Sequence, residues 1–320
     1  MLIKARGVPI WIQCLEALLK LLPQDHRLIP DIRRNLKYRR KGYKGEKSSD
    51  YYAQLLDPKH FLILHDLCLD HNGLHFQIDS LILTTRFIIV IEIKTLEGEL
   101  FFNGETGQLT VSRHETISGA DNPLVQALNH CNQLKDWLIT HKLKDMSMEH
   151  LAIISNTQSV IRCSNRETAN HVGTDKSLPL KVMELSKRYK KELLTDKELK
   201  RTAKALKKAH SPKPIKIMDF FKLNQDEFLT GNPCPNCDNR PMKRKKAYWQ
   251  CLNCHTKAKD VHKEIIAAYL LIISPVISVK ECCRFLHLPS SQVARRLLVS
   301  MGLVASGINK GRVYSLKPPK

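Results

Sequence analysis

Hydrophobic residues along this chain are gathered into short runs that predict a series of strands. Strands are expected over residues 61–69, 75–84, 87–94 and 150–155, where Ile, Val, Leu and Phe dominate and turn residues are few. A hairpin is expected over residues 103–111, because Asn-Gly favours a tight turn. These runs predict a sheet built largely from neighbouring strands.

Helices are predicted before, between and after these strands. They are expected at residues 8–22, from about residue 45, at 122–138 and within 181–210. Asn122-Pro123 is a suitable helix start, since proline fits the first helical turn. The order of helix, strands, helix and strand predicts an α/β core with a mixed sheet flanked by helices.

Three charged residues interrupt the apolar strands. Asp79 lies in the second run, and Glu92 and Lys94 lie two apart in the third, so their side chains share one face. Carboxylates that are difficult to bury need a partner, and a divalent metal is suitable. A lysine beside the metal could orient a water that attacks a phosphate. The same spacing also fits a structural ion pair at a strand end.

Charge is the main compositional signal. The chain has 320 residues and a formal charge of +21, which favours nucleic acid as a partner over an anionic membrane surface. A soluble basic protein without a polyanionic partner would have the same excess of Lys and Arg. No run is long and apolar enough to predict a membrane span, and no signal peptide is expected. The ten cysteines suit a reducing cytoplasm, and no oligomer is indicated.

Four cysteines form two CxxC knuckles, Cys234 with Cys237 and Cys251 with Cys254. Four thiolates can surround one tetrahedral Zn²⁺ and leave no open position, so a structural zinc ribbon is predicted. A redox pair is the alternative. Basic residues between the knuckles are expected to contact nucleic acid, although such ribbons also serve protein contacts: Lys243, Arg244, Lys245 and Lys246.

The C-terminal segment resembles a winged helix-turn-helix. Ser278 and Glu281 form a capping box at the second of three predicted helices, and a two-stranded wing follows the third. The resemblance implies that the third helix enters the major groove of DNA. The residues expected to contact DNA are Ser291, Gln292, Arg295, Arg296, Lys310 and Arg312. A trihelical module for protein interactions is the alternative.

Residues from about 42 to 155 resemble the nuclease-related domain, NERD, of the PD-(D/E)xK nuclease superfamily. The matching pieces are, in order, Gly45-Glu46, Gln77-Ile78-Asp79, Ile91-Glu92-Ile93-Lys94 with Gly98 shortly after, and Asn122-Pro123-x-x-Gln126. The resemblance implies a restriction-endonuclease-like core. Ile78 stands where the superfamily has proline, which leaves the carboxylate in place.

By this resemblance, Asp79 and Glu92 bind catalytic Mg²⁺ or Mn²⁺, and Lys94 positions the attacking water. Glu46 and Gln126 are further site residues, although Glu46 also suits the positive end of a helix dipole and Gln126 also suits a solvated position. The implied function is a metal-dependent nuclease that hydrolyses phosphodiester bonds, of DNA in particular. The alternatives are a non-catalytic DNA-binding protein or regulator with a degenerate core, and RNA processing.

These interpretations divide the chain into five parts. They are an N-terminal helix and basic arm (1–41), a nuclease-like domain (42–160), a lysine-rich helical extension (161–228), a zinc ribbon (229–258) and a winged helix-turn-helix-like domain (259–320). The basic run at residues 33–44 is expected to be a solvated arm or a phosphate contact.

Overall fold

The computed structural model describes residues 1–114 and 116–316, with the backbone alone at Lys310. It is a mixed α/β protein, as the hydrophobic pattern predicted. In chain order the elements are β1 (Leu2–Lys4), α1 (Ile10–Leu21), α2 (Ile29–Ala53), β2 (Leu62–His71), β3 (Leu74–Leu83), β4 (Ile88–Lys94), β5 (Glu99–Phe102), β6 (Leu109–Arg113), β7 (Thr116–Ala120), α3 (Pro123–Thr140), β8 (Met148–Ile154), β9 (Val160–Cys163), α4 (Arg166–His171), β10 (Val172–Thr174), α5 (Leu178–Arg188), α6 (Asp196–Ala209), α7 (Ile217–Phe221), β11 (Lys243–Arg244), β12 (Trp249–Gln250), β13 (Lys257–Ala258), α8 (Val261–Ile272), β14 (Val276–Ser278), α9 (Val279–Leu286), α10 (Ser291–Ser300), β15 (Val304–Ser306) and β16 (Val313–Ser315).

The chain forms two compact units. The first consists of Met1–Val8 and Arg40–Pro214, and the second of Pro9–Arg39 and Ile215–Lys320. Helix α2 crosses the division, so its first part belongs to the second unit and its last part to the first unit.

A six-stranded mixed sheet forms the centre of the first unit, in the order β1-β2-β3-β4-β8-β10. Strands β2, β3 and β4 are antiparallel neighbours, as expected for runs joined by tight turns. Strand β1 pairs parallel to β2, and β8 pairs parallel to both β4 and β10. The sheet therefore combines a hairpin-built centre with parallel edges.

Helices cover both faces of this sheet. On one face, Leu81 and Val90 pack in a core cluster with Leu134 of α3 and Leu206 of α6. The opposite face packs against the end of α2 and against α5 in a second cluster. Each Leu or Ile that is fully buried contributes about 1.5–3 kcal/mol to folding. The first unit thus has a core that does not depend on a metal.

A second sheet of four strands, in the order β7-β6-β5-β9, adjoins the first in the same unit. Leu100 and Phe102 of β5 pack there against Ala152 and Ile154 of β8. The hairpin of β5 and β6 was predicted from Asn-Gly. Strands β9 and β10 and helix α4 were not predicted, because elements of three to six residues are too short to show a clear period.

Helix α2 begins well before the residue predicted for its start. It has 25 residues and includes the basic run at 33–44, which is helical rather than an extended arm. Lysine and arginine are good helix formers, and the buried Ile32 and Leu36 anchor this part. Apolar residues are sparse there, so the hydrophobic pattern was weak. No helix within the described residues is both long enough and apolar enough to cross a membrane.

The second unit contains two small three-stranded sheets. One has the order β11-β12-β13 and the other β14-β16-β15. The capping box of α9 is confirmed, since Glu281 N–H donates to Ser278 Oγ and Ser278 N–H donates to Glu281 Oε2. The wing strands β15 and β16 were predicted. Strand β14 was not, because three residues between helices give no readable alternation.

Candidate functional site

The carboxylates named above lie where strands β3 and β4 separate. The pairing of these strands ends at Ser80 and Ile91. Beyond that point the backbone N–H of Ile93 donates to Asp79 Oδ2 at 2.8 Å instead of to a strand carbonyl. Asp79 therefore stands in the opening between two strands, and it is only 8% exposed.

The side-chain alternation shifts by one residue at the same place. Ile78 and Leu81 of β3 belong to the same core cluster although they are three residues apart. In the neighbouring strand, Asp66 has a left-handed φ of 53°. Lys4 Nζ holds that backbone by donating to the carbonyl oxygens of His65 and Asp66 at 2.9 and 2.7 Å. The local irregularity is thus built into both strands beside the site.

Glu92 and Lys94 lie side by side on β4, as their spacing predicted. Lys94 Nζ donates to Glu92 Oε1 at 2.9 Å. Glu92 is 3% exposed, and its second oxygen, Oε2, is buried without a hydrogen-bond partner. Both residues continue the β4 row of Ile88 and Val90, which faces α3 and the first core cluster.

Glu46 reaches the site because helix α2 passes close to the strand ends. A Cβ at Gly45 would overlap the hydroxyl oxygens of Thr95, after β4, and Ser155, after β8. A larger residue at position 45 would require these side chains or the helix to move. The glycine of the Gly45-Glu46 pair therefore explains how the neighbouring glutamate comes near the other carboxylates.

Arg6 joins the carboxylates from outside the segment that carries the motifs. It is 7% exposed and lies just after β1. Its guanidinium donates to Glu46 Oε2 at 2.8 Å and to Asp50 Oδ2 at 3.0 Å. It also donates to the Asp79 carbonyl at 2.6 Å. Arg6 thus ties α2 to β3, since Asp50 and Glu46 are one helical turn apart.

Buried His65 and Ser80 extend this network. His65 Nδ1 lies 2.8 Å from Ser80 Oγ and 3.1 Å from Asp50 Oδ1. Burial lowers the pKa of His65 to about 4, because its effect is larger than that of the Asp50 charge, which raises the pKa. The imidazole is therefore neutral at physiological pH, and Arg6 remains the cation of this network.

The carboxyl groups of the site have raised pKa values. Burial, followed by the charge of Asp79, raises the pKa of Glu92 to about 8 and that of Glu46 to about 7. Burial also raises the pKa of Asp79, against the opposing effect of Arg6. Burial alone would lower the pKa of Lys94, but Glu92 outweighs it and the pKa is raised. Negative charge is thus disfavoured here unless a further cation is present.

The residues present fit a divalent metal. The buried Glu92 Oε2 is an acceptor without a donor, and hard cations such as Mg²⁺ and Mn²⁺ prefer carboxylate oxygens. The acidic groups are not drawn tightly together, since within residues 1–114 and 116–316 only the four cysteines place three or more potential ligand atoms within 4.8 Å of one another. Glu92 and Glu46 are instead paired with Lys94 and Arg6.

Helix α3 brings a histidine to the site. Asn122 caps this helix by accepting from Leu124 N–H at 2.9 Å, as expected for Asn-Pro at a helix start. Gln126 is half-buried near that start, and His130 follows one turn later on the same face. His130 Nδ1 lies 3.7 Å from Glu92 Oε2. The described contact from α3 to the carboxylates is therefore made by His130 rather than by Gln126.

The four cysteines of the two knuckles meet at one point. Sγ of Cys234 lies 3.4 Å from that of Cys254, and Sγ of Cys237 lies 3.6 Å from that of Cys251. A tetrahedral ion with Zn–S bonds of about 2.3 Å holds its sulfurs about 3.8 Å apart, so the quartet fits zinc. The Thr256 hydroxyl lowers the pKa of Cys254 to about 5, which favours the thiolate.

The basic residues of the ribbon differ in exposure. Lys243, Lys245 and Lys246 are exposed, whereas Arg244 is half-buried and lies 5.3 Å from the Trp249 ring centroid. Trp249 itself is fully buried, so its ring belongs to the ribbon core and is not available for stacking on bases. The three lysines are therefore the free charges of this segment.

The predicted recognition helix presents its polar residues to solvent. The four residues of α10 that were expected to contact DNA are all exposed: Ser291, Gln292, Arg295 and Arg296. Ser291, Arg295 and Arg312 line a cleft of about 790 Å³ together with Lys280. Arg312 is half-buried, and the side chain of Lys310 lies outside the described part of the chain. Lys280, Arg295 and Arg312 thus make this cleft basic.

Comparison with known proteins agrees with the motifs. Residues 41–155 match the family model NERD, the nuclease-related domain, which confirms the resemblance for this part of the chain. An uncharacterized protein of Bacillus anthracis is 29% identical over 109 residues. The match covers 34% of this chain and 51% of that protein, so this chain spans about half the length of the relative. No solved structure gives a match.

Several residues of the site were not predicted from the sequence: Arg6, Asp50, His65, Ser80 and His130. Arg6 and Asp50 are separated by 44 residues, and no local pattern joins them. His130 carries a weak signal, because it lies four residues after Gln126 and therefore on the same helix face. The sequence alone did not show that this helix face points toward Glu92, because that depends on how α3 packs on the sheet.

Proposed function

We propose that this protein is a metal-dependent nuclease that hydrolyses phosphodiester bonds of nucleic acid, in particular of DNA. One observation carries the proposal. Asp79 accepts from the backbone N–H of Ile93, which lies between Glu92 and Lys94 on β4, and the second carboxylate oxygen of Glu92 is buried without a donor. These residues lie inside the segment that matches the nuclease-related domain.

Asp79, Glu92 and Lys94 would have different roles in the reaction. Asp79 and Glu92 would hold Mg²⁺ or Mn²⁺ through carboxylate oxygens. When bound, such an ion lowers the pKa of a water and withdraws charge from the scissile phosphate. Lys94, which stays charged beside Glu92, stabilises the negative charge that develops on the phosphate.

Glu46 supports this centre from α2, and Arg6 supports it from the segment just after β1. The pKa of Glu46, about 7, suits a group that accepts a proton from the attacking water or orients it. Arg6 positions Glu46 by a hydrogen bond of 2.8 Å and at the same time binds Asp50. Gln126 would contribute at the edge of the site.

The second unit would hold the nucleic acid. We propose a structural zinc ribbon at residues 229–258, with Zn²⁺ bound by its four cysteines, and a winged helix-turn-helix at residues 259–320. The exposed Lys243, Lys245 and Lys246 would contact phosphates, and the exposed face of α10 would contact bases or phosphates. The cysteine usage supports a reducing cytoplasm as the location.

Cleavage assays test the proposal directly. Protein loaded with zinc is incubated with supercoiled plasmid and with linear duplex, in buffer without Mg²⁺ and Mn²⁺ and then with each ion. Omission of the ion is preferable to EDTA, which would also remove zinc. Lys94→Met is expected to lower the cleavage rate by about 10²- to 10³-fold. Lys135→Met, at an exposed ion pair with Asp145, is the matched control.

A non-catalytic DNA-binding protein is the second candidate. Lys94 already neutralises Glu92, and Arg6 neutralises Glu46 and Asp50, so much of the buried charge is compensated without a metal. This function predicts salt-sensitive binding with no cleavage in either metal. A parental cleavage rate in Lys94→Met would show that the nuclease site has been assigned wrongly.

A further inference from the structure

Two buried polar atoms face each other at the site without a hydrogen-bond partner. They are Oε2 of Glu92 and Nδ1 of His130, and they lie 3.7 Å apart. Glu92 is 97% buried, and its other oxygen is already occupied by Lys94 at 2.9 Å. Oε2 is therefore the atom of Glu92 that is available to a ligand.

The separation of the two atoms limits what can lie between them. At 3.7 Å they are too far apart for a direct hydrogen bond. A water about 2.8 Å from both atoms would need an angle of roughly 80° between its two hydrogen bonds. An ion with ligand distances of about 2.1 Å would bridge the same gap at an angle of roughly 120°. This angle is wider than the roughly 90° between neighbouring ligands of an octahedral ion, so the two atoms must approach each other by about 0.7 Å to share Mg²⁺ or Mn²⁺.

His130 is held in this position by its surroundings. Ala127 and Cys131, its neighbours on α3, are buried in the core cluster that packs against β4. The His130 ring lies 6.0 Å from the ring of Phe76. The packing of α3 on the sheet therefore keeps His130 beside Glu92.

We propose that His130 is a metal ligand beside Glu92, and that its imidazole makes the centre favour Mn²⁺ or a similar transition-metal ion over Mg²⁺. Imidazole nitrogen binds transition metals in preference to Mg²⁺, which selects oxygen ligands. This inference rests on the proposed metal-dependent function, and it adds a nitrogen ligand that lies on the same helix as Gln126 but outside the four matching pieces of sequence.

Manganese binding tests the inference without an activity assay. The full chain, with its ribbon loaded with zinc, is titrated with Mn²⁺ and with Mg²⁺ by calorimetry. His130→Asn is expected to weaken Mn²⁺ binding by about 10- to 100-fold and Mg²⁺ binding by less. His60→Asn, at an exposed histidine paired with Asp57, is the matched control and should bind Mn²⁺ as the parent does.

A spectroscopic experiment on the parent protein avoids any effect of substitution on folding. Pulsed electron paramagnetic resonance of the Mn²⁺ complex should show coupling to a histidine nitrogen, and this coupling should change when histidine is labelled with ¹⁵N. Mn²⁺ binding without such coupling would overturn the assignment of His130 and leave the proposed nuclease function standing. Failure of the parent to bind either ion would overturn both.

Discussion

The two candidate metal sites of this protein are assembled in opposite ways. The cysteine site draws its four ligands from residues 234–254, where two knuckles bring the sulfurs within 3.4–3.6 Å of their neighbours. The carboxylate site combines Asp79 and Glu92 with side chains from α2, from α3 and from the segment just after β1. The first depends on local chain geometry, and the second depends on the packing of a whole domain.

The two sites also differ in what holds them together without an ion. The carboxylates are paired with Lys94 and Arg6 and stand on a sheet with a large core. The ribbon has short strands of two residues each, and its buried Trp249 supplies only a small core. We therefore expect the ribbon to need its metal for folding and the carboxylate site to keep its fold without one.

Loss of a zinc ligand should have the largest effect. Structural zinc contributes about 10–16 kcal/mol in small zinc peptides, so Cys251→Ser should release zinc and unfold the ribbon while the first unit stays folded. Native mass spectrometry measures the zinc, and hydrogen exchange locates the unfolding. Cys283→Ser, at a half-buried cysteine outside the quartet, is the control. A full equivalent of tightly bound zinc in Cys251→Ser would argue against the ribbon.

Removal of Arg6 should destabilise the first unit. Arg6→Met leaves the buried Asp50 without its cation, and breaking a buried pair in this way costs about 3–5 kcal/mol. Lys41→Met breaks an exposed pair with Glu97 and should cost no more than about 1 kcal/mol. Urea unfolding of both variants measures the difference. Equal losses would show that Arg6 does not tie α2 to the sheet.

The two sites should respond to pH in opposite directions. The folded-state pKa values of Glu92, about 8, and Glu46, about 7, lie above those of the unfolded chain, so folding favours the protonated forms. The free energy of unfolding in the absence of Mg²⁺ and Mn²⁺ should therefore fall by about 1–3 kcal/mol as pH rises from 5.5 to 8. The cysteine site should instead lose zinc as pH falls, because its ligands must be thiolates.

Urea unfolding at several pH values checks this expectation. Glu92→Gln should flatten the curve, since the substituted side chain does not titrate. Saturating Mn²⁺ should also flatten it, because the ion favours the ionised carboxylates that high pH produces. A stability that is level across this range in the parent would contradict the raised pKa values.

The smallest effect is expected on the surface of α10. If Arg295 contacts a phosphate, Arg295→Gln should reduce the slope of log affinity against log salt by about 0.9. Arg201→Gln, at an exposed arginine of α6 in the first unit, should leave the slope unchanged. Fluorescence anisotropy with a labelled duplex at several salt concentrations gives both slopes. An unchanged slope in Arg295→Gln would remove α10 from the nucleic-acid interface.

Local patterns in the sequence were sufficient for several features. Strands β2, β3, β4 and β8 follow from runs of apolar residues, and the starts of α3 and α9 follow from their capping residues. The neighbouring positions of Glu92 and Lys94 follow from the two-residue period of a strand. The cysteine quartet follows from its spacing. Each of these depends on residues that are close along the chain.

Only the tertiary structure decided which distant side chains complete the carboxylate site. Arg6 contacts a backbone carbonyl 73 residues away, and His130 faces Glu92 from another element. The same holds for the burial of Trp249, which removes this ring from the exposed surface of the ribbon. The physical reason is that periodicity and capping act within one element, whereas burial, pKa and ion pairing depend on which elements pack together.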